Sequence, residues 1–319
     1  MRFIKQFLTR LVLLNKKFPN IPLPDQIRPI VISSPVVKIL ESRLASKLQD
    51  YLKNKLHRSQ IGFVEGMDVY VNIWRALKRI QDLRDKRKYV YCLFLDFKSA
   101  YNTVPHCKLY EKLQHVLRSD EIDLLKAIYS RMWITLGKER FQPNVGVAQG
   151  SVISPALFDI YAASLLEKME AHGWGIDDLL GFADDHLFIN VTKPQLRSAI
   201  SLTKEWCEEA NIELNPDKSG ILEIPPKGAK HLMEVGSKFE GIPIVGEYKY
   251  LGLVLDNRLT GETHSGKLFG WKDHDGKRHP GKIEFIKNNL APLLRKFLLI
   301  IEPTFGKCSY DPYLFPLPC

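Results

Sequence analysis

Apolar residues at Val36, Leu40, Leu44, Leu48 and Leu52 recur every fourth position behind the pair Ser33–Ser34 and Pro35, which predicts a capped amphipathic helix over residues 35–56. The same period predicts helices over 67–84, 108–117, 121–133, 155–171 and 194–210. VYCLFLDF, residues 90–97, is apolar on both faces of a strand, so it is expected in the centre of a sheet between two layers, with Asp96 at its C-terminal end. LLGFADDHLFIN, residues 179–190, has apolar runs around an Ala-Asp-Asp centre, the pattern of a hairpin with a polar tip. Extended pieces at 220–224 and 248–255 add to the sheet. There is no repeat and no linker before about Gly261. Together these elements predict an α+β fold, with helices on one face of a mostly antiparallel sheet. A last helix is expected near Ile283 to Ile301, followed by the proline-rich FGKCSYDPYLFPLPC.

Composition narrows the partners. The 319 residues suggest two or three subdomains, and a hydrophobic fraction of 45% is ample for a core. A net charge of +10 favours a polyanion such as nucleic acid over an acidic small molecule, although basic chains also arise for solubility alone. The five cysteines, Cys92, Cys107, Cys207, Cys308 and Cys319, form no CxxC pair, which points away from a disulfide framework or zinc ribbon and toward a reducing, intracellular compartment: nucleus, mitochondrion or bacterial cytoplasm. No apolar run reaches the roughly 18 to 20 residues of a membrane span, so no membrane partner is expected. The first 24 residues hold Arg2, Lys5, Arg10, Lys16 and Lys17 and no acid. Being poor in serine, they read better as a nucleic-acid-facing part of the fold than as an organellar presequence.

The chemistry concentrates in carboxylates. A buried strand that ends in Asp96 needs a partner, a proton or a metal for that charge. Alone, Asp96 could be a helix cap or half of a salt bridge, and Asp184 with Asp185 could be turn formers. Together they differ: a tight turn can swing a pair of carboxylates toward the end of a neighbouring strand. Three converging carboxylates suit Mg²⁺, and two such ions can support in-line phosphoryl transfer. His264, His274 and His279 match no zinc spacing and read as a solvated loop.

FLDFKSAYNTVPH (94–106), QGSVISPALFDIY (149–161) and GFADDHLFI (181–189) resemble three successive motifs of reverse transcriptases, in the family's order and spacing. IRPIVISSPVVKILESRL (27–44), SQIGFVEGMD (59–68), NIELNPDKSGIL (211–222) and YKYLGLVLD (248–256) fit the same pattern, so the resemblance covers roughly residues 15 to 260. Within the family the chain looks similar to non-LTR retrotransposon polymerases, with group II intron proteins next.

The resemblance implies a right-hand polymerase fold: fingers at 1–89, a palm at 90–260 with finger helices inserted at about 108–140, and a linker and short or truncated helical thumb at 261–319. It implies an RNA-directed DNA polymerase using dNTPs, an RNA template, a DNA or RNA primer and two Mg²⁺ ions, with Mn²⁺ able to substitute. Asp96, Asp184, Asp185 and the Phe97 carbonyl would be metal ligands. Lys218 would donate a proton to the departing pyrophosphate. Arg28, with Lys17 or Lys16, would clamp the triphosphate, Tyr101 would exclude a 2′-hydroxyl, and Gln149 and Gly150 would lie against the nascent base pair. Gln60, Gly62 and Phe63 would line the template path, and Tyr250, Leu251 and Gly252 the primer grip. Asn102 departs from the Asp that related elements often carry there. The thumb expected from residues 261–319 is too short for a typical bundle, which leaves three readings open: a minimal enzyme, a fragment of a split gene completed by a protein partner supplying thumb or nuclease, or a domesticated binding component that does not polymerise.

Overall fold

In the computed structural model, which describes residues 7–15, 21, 27–136, 138–259, 271–272 and 278–279, the chain opens with antiparallel strands β1 (Phe7–Asn15) and β2 (Ile27–Ile32). Helix α1 (Pro35–Asn54) starts where predicted, because Ser34 accepts a hydrogen bond from the Val37 N–H and Pro35 pre-sets the first turn. Its inner face buries Val37, Leu44, Leu48 and Leu52, and also Glu41. Helix α2 (Val69–Asp85) is capped by Asp68, which accepts from the N–H groups of Tyr70 and Val71. It buries Asn72, Ala76, Ile80 and Leu83 and leaves its opposite face in solvent.

All six residues of β3 (Val90–Leu95) are buried. The chain then leaves that ladder at Asp96, and β4 (Phe97–Lys98) pairs elsewhere. Helices α3 (Ala100–Thr103), α4 (His106–Leu113) and α5 (Ser119–Arg131) lead to strands β5 (Met132–Leu136) and β6 (Glu139–Phe141). Helix α6 (Ser154–Ala171) precedes the hairpin of β7 (Leu179–Phe182) and β8 (Asp185–Asn190). Helix α7 (Lys193–Ala210) follows, with β9 (Glu213–Leu214), β10 (Gly220–Ile224), β11 (Lys238–Phe239), β12 (Ile242–Val245) and β13 (Glu247–Tyr250). The extended segment predicted at 248–255 is broken after β13 by Leu251 and Gly252, both at positive φ.

The main sheet has the order β11-β12-β10-β3-β8-β7, antiparallel throughout except between β10 and β12. This is the predicted mostly antiparallel sheet. Helix α6, buried on most sides, packs between α1, α4, α7 and β7, and its Phe158 and Tyr161 with Phe188 of β8 form the centre of the core. Burying each such side chain contributes about 1.5–3 kcal/mol, so this layer fixes where the loops at the sheet's end can sit. A second sheet, β2-β1-β5-β6, joins β1 in parallel to β5 far along the chain.

The chain divides into two compact units, Met1–Leu253 and Val254–Cys319. In the second, which begins within β14 (Leu253–Asp256), Asp256 accepts from the Arg258 N–H and the two-residue strands β15 (Trp271–Lys272) and β16 (Arg278–His279) pair antiparallel. The helix expected near Ile283 to Ile301, and Lys16, Lys17, His264 and His274, lie outside the described residues.

Candidate active site

Phe182 pairs with Asp185, so the β7–β8 connection consists of Ala183 and Asp184 alone. Ala183 has φ 54°, a left-handed conformation that costs a non-glycine residue about 1–2 kcal/mol. Gln60 offsets that cost. The Ala183 N–H donates to Gln60 Oε1 at 3.0 Å, and Gln60 Nε2 donates to the Ala183 carbonyl at 3.0 Å. Gly62 lies against the same peptide: a Cβ there would stand 2.4 Å from the Ala183 nitrogen. Residues 59–62 run beside β7, with the Ile61 N–H donating to the Gly181 carbonyl and the Gly181 N–H to the Ser59 carbonyl. Gln60 and Gly62 were expected along a template path. Both are buried and turned onto the β7–β8 hairpin, Gln60 with 2% exposure. Phe63, next in sequence, is exposed.

Asp96 sits one residue beyond the Leu95–His186 pair, at the level of Asp185 on the adjoining strand. The loop between β9 and β10 wraps it. Asn215 Nδ2 donates to Asp96 Oδ2 at 2.9 Å, the Asn215 N–H donates to the Asp96 carbonyl, and Ser219 Oγ accepts from the Asp96 N–H at 3.1 Å. Asp185 keeps open surface as a residue, yet its carboxyl is pushed up to about 6, first by the protein atoms packed around it and then by Asp184 and Asp96. The three carboxylates therefore share one electrostatic site. Among the described residues no three His, Cys, Asp or Glu side chains are placed to hold a metal ion by themselves. Hard carboxylate oxygens of this kind suit a divalent cation that completes its shell with water and substrate phosphate.

Tyr101 stacks on Phe158, ring centroids 4.4 Å apart, and burial, then Asp159 and Asp184, raise its hydroxyl far above the ordinary tyrosine range. Asp159 itself is fully buried and neither carboxyl oxygen has a hydrogen-bond partner among the described residues. Burial, then the charge of Asp184, pushes its carboxyl well above the ordinary carboxylate range. Sequence reasoning missed it; an acid inside the apolar run of α6 was the available signal.

Glu41, also missed, accepts from Ser151 Oγ at 2.7 Å and from the Val152 N–H at 3.1 Å, and so anchors the loop that carries Gln149 and Gly150. On the other side the Val31 N–H donates to the Gln149 carbonyl at 2.6 Å. Gly150, at φ 107°, has no room for a Cβ, which would meet the Val31 carbonyl oxygen at 2.5 Å. Gln149 Nε2 lies 3.4 Å from Asn102 Oδ1, beside Tyr101. Arg28 is exposed on β2, the strand that holds this loop.

Lys218 is exposed, and its carbonyl accepts from the Tyr248 hydroxyl at 2.9 Å. Tyr248 stacks on Phe94 at 4.1 Å near Asp96 and Asp185. Of the residues expected in the primer grip, the Tyr250 side chain is 2% exposed, Leu251 is half-buried and Gly252 is exposed. The Phe97 ring is buried between His186 and Trp206. Lys17 lies outside the described residues.

Residues 15–255 match the family described as reverse transcriptase (RNA-dependent DNA polymerase). The chain is 27% identical over 263 residues to the probable RNA-directed DNA polymerase from transposon BS of Drosophila melanogaster, covering 76% of this chain and 28% of that protein. It is 24% identical over 273 residues to the Pol polyprotein of the type-1 retrotransposable element R2 of Nasonia vitripennis, covering 79% of this chain and 26% of that one. It thus spans little more than a quarter of these relatives, which are non-LTR retrotransposon polymerases. Among solved structures it is similar to apo telomerase from Candida tropicalis (TM-score 0.58, 15% identity, 82% of this chain and 49% of that chain) and to telomerase from Candida albicans in complex with a fragment of telomeric RNA (TM-score 0.54, 12% identity, 79% and 47%). At those identities the likeness speaks for the fold, a right-hand polymerase. With three-quarters of its length matched by the family and the family's motifs gathered at one end of its central sheet, the chain belongs to the reverse transcriptases.

Proposed function

We propose that this chain is the polymerase part of an RNA-directed DNA polymerase that adds deoxynucleotides from dNTPs to a primer 3′-hydroxyl on an RNA template. The observation that carries this reading is the shared electrostatic site of Asp96, Asp184 and Asp185 beside Tyr101. Asp96, Asp184, Asp185 and the Phe97 carbonyl are the proposed ligands for two Mg²⁺ ions, with Mn²⁺ as substitute. Bound there, divalent metal would polarise the primer hydroxyl and offset charge on the departing pyrophosphate.

The remaining work belongs to the chain's own residues. Asn215 and Ser219 orient Asp96, while Gln60 holds the turn that carries Asp184. The Tyr101 ring, fixed on Phe158, takes the role of a wall against a ribose 2′-hydroxyl. Gln149 and Gly150 receive the nascent base pair, Arg28 with Lys17 grips the triphosphate, and Lys218 returns a proton to pyrophosphate. Phe63 meets the template, and the turn at Leu251 and Gly252, backed by Tyr250, meets the primer. Residues 1–89 are assigned to fingers, 90–260 to the palm with finger helices inserted at about 108–140, and 261–319 to linker and thumb.

Primer extension with dNTPs on an RNA template tests the proposal. We expect Mg²⁺-dependent synthesis that Asp184→Asn lowers by at least about 100-fold. Extension that persists in that variant, or no extension with either Mg²⁺ or Mn²⁺, overturns it.

A further inference from the structure

We infer that the outer face of α2 is a stacking platform for single-stranded RNA, running outward from the catalytic turn. Among the described residues four aromatic side chains are exposed, Phe63, Tyr70, Trp74 and Phe141, and three of them fall in this one segment. Tyr70 and Trp74 are 73% and 61% exposed, and Leu77, also exposed, continues their stripe. Positions i, i+4 and i+7 lie on one face of a helix, and this face is opposite the one that α2 buries against the sheet. Large apolar rings left in solvent cost free energy unless they serve a contact.

Two features choose the occupant. The first is charge: Lys78 Nζ stands 4.9 Å from the centre of the Trp74 ring, and Lys86, Arg87 and Lys88 are exposed at the end of the helix, whereas Arg75 and Arg79 are turned to Ile176 and Asp178. A basic strip with interleaved aromatics suits a sugar-phosphate strand whose bases stack on the rings, whereas an apolar protein partner would leave those cations facing an unmatched surface. The second is continuity with the site. Phe63, exposed just ahead of the helix in the chain, lies 6.4 Å from the ring of Phe182, the residue before Ala183. Along the helix axis Tyr70 and Trp74 are separated by about 6 Å, close to the spacing that admits one base between two rings. The strand is assigned as uncopied template, and that assignment rests on the polymerase reading.

The test is equilibrium binding of a short, unstructured, fluorescein-labelled RNA, followed by anisotropy without dNTPs, to the full chain and its variants. The double variant Tyr70→Ala, Trp74→Ala is expected to bind about 10- to 100-fold more weakly with an unchanged thermal midpoint, because both side chains lie in solvent. Trp74→Phe, which keeps a stacking ring, is expected to recover most of the affinity. Unchanged RNA binding in the double variant overturns the inference. So does a loss of self-association in that variant without a loss of RNA binding, which would assign the face to a second copy of the chain. Asp184→Asn separates the two readings: it is expected to abolish extension and leave RNA binding intact. Ring-dependent RNA binding in a wild-type chain that never extends a primer would keep the platform and remove the polymerase.

Discussion

The side-chain amide of Gln60 hydrogen-bonds both polar groups of the Ala183 peptide, at 3.0 Å each, and so holds from behind the turn that presents Asp184. An amide offers one acceptor and one donor at that spacing without having to bind a proton first. Gln60→Ala should lower kcat for primer extension about 10- to 100-fold with little change in dNTP KM, since the loss falls on the geometry of the carboxylates. It should also destabilise the fold by about 1–3 kcal/mol, because two buried backbone groups lose their partner. Steady-state kinetics and thermal unfolding read both. A rise in KM at constant kcat would place Gln60 in substrate binding instead.

Gly62→Ala puts a methyl group 2.4 Å from the Ala183 nitrogen, where backbone rather than a movable side chain must yield. The expected cost is about 1–3 kcal/mol of stability together with a loss of extension, measured on the same variant. Normal activity in Gly62→Ala would show that the turn has more freedom than its packing implies.

Asn215→Ala removes the amide that fixes Asp96 Oδ2. Partners of this kind are worth about 10- to 100-fold in metal affinity, so the Mg²⁺ concentration for half-maximal extension should rise by that order while primer–template binding stays unchanged. An unaltered metal titration curve would limit Asn215 to a structural part.

The Tyr101 ring has little freedom to withdraw, being stacked on Phe158. Tyr101→Ala should reduce the preference for dNTPs over rNTPs, measured as a ratio of kcat/KM values, by about 10- to 200-fold. A preference that survives the substitution would move sugar selection elsewhere.

Burial raises the Glu41 carboxyl above its ordinary range, only partly offset by Ser151, Val152 and Lys38. A folded pKa above the unfolded value near about 4.3 means that its contribution to stability is complete below that pH and is lost as pH rises through the raised folded value. The thermal midpoint of the wild type relative to Glu41→Gln should therefore fall across that window and level off above it. A relative midpoint that climbs with pH would show the sign to be wrong.

Much of this layout was legible in the chain. Period-four leucines with Ser34 and Pro35 marked α1, the all-apolar 90–95 marked the central strand, and the Ala-Asp-Asp tip marked the hairpin. The sheet β2-β1-β5-β6 was not legible. Its register depends on pairs such as Leu8 with Trp133, and no local period encodes a partner so far along the chain. The neighbours of Asp159 come from four separate segments, through Gly62, Tyr101, Asp184 and its own helix, so its burial was decided by tertiary packing. Gln60 shows a third limit: its motif marked the right place, and the direction of its side chain depended on which strand edge lay beside it.

The hydrogen bond from Val31 to the Gln149 carbonyl, with Gly150 pressed against the Val31 oxygen, ties β2 to the Gln149 loop. Arg28 rides on the same strand, three residues away. With Arg28 on the triphosphate and Gln149 at the base, as proposed, a swing of that strand would carry the loop with it, and a mismatched nucleotide that blocked the loop would also hold back the arginine. Capture and inspection of the incoming nucleotide would then be a single mechanical event, and fidelity would be read as a slower grip rather than as a separate rejection.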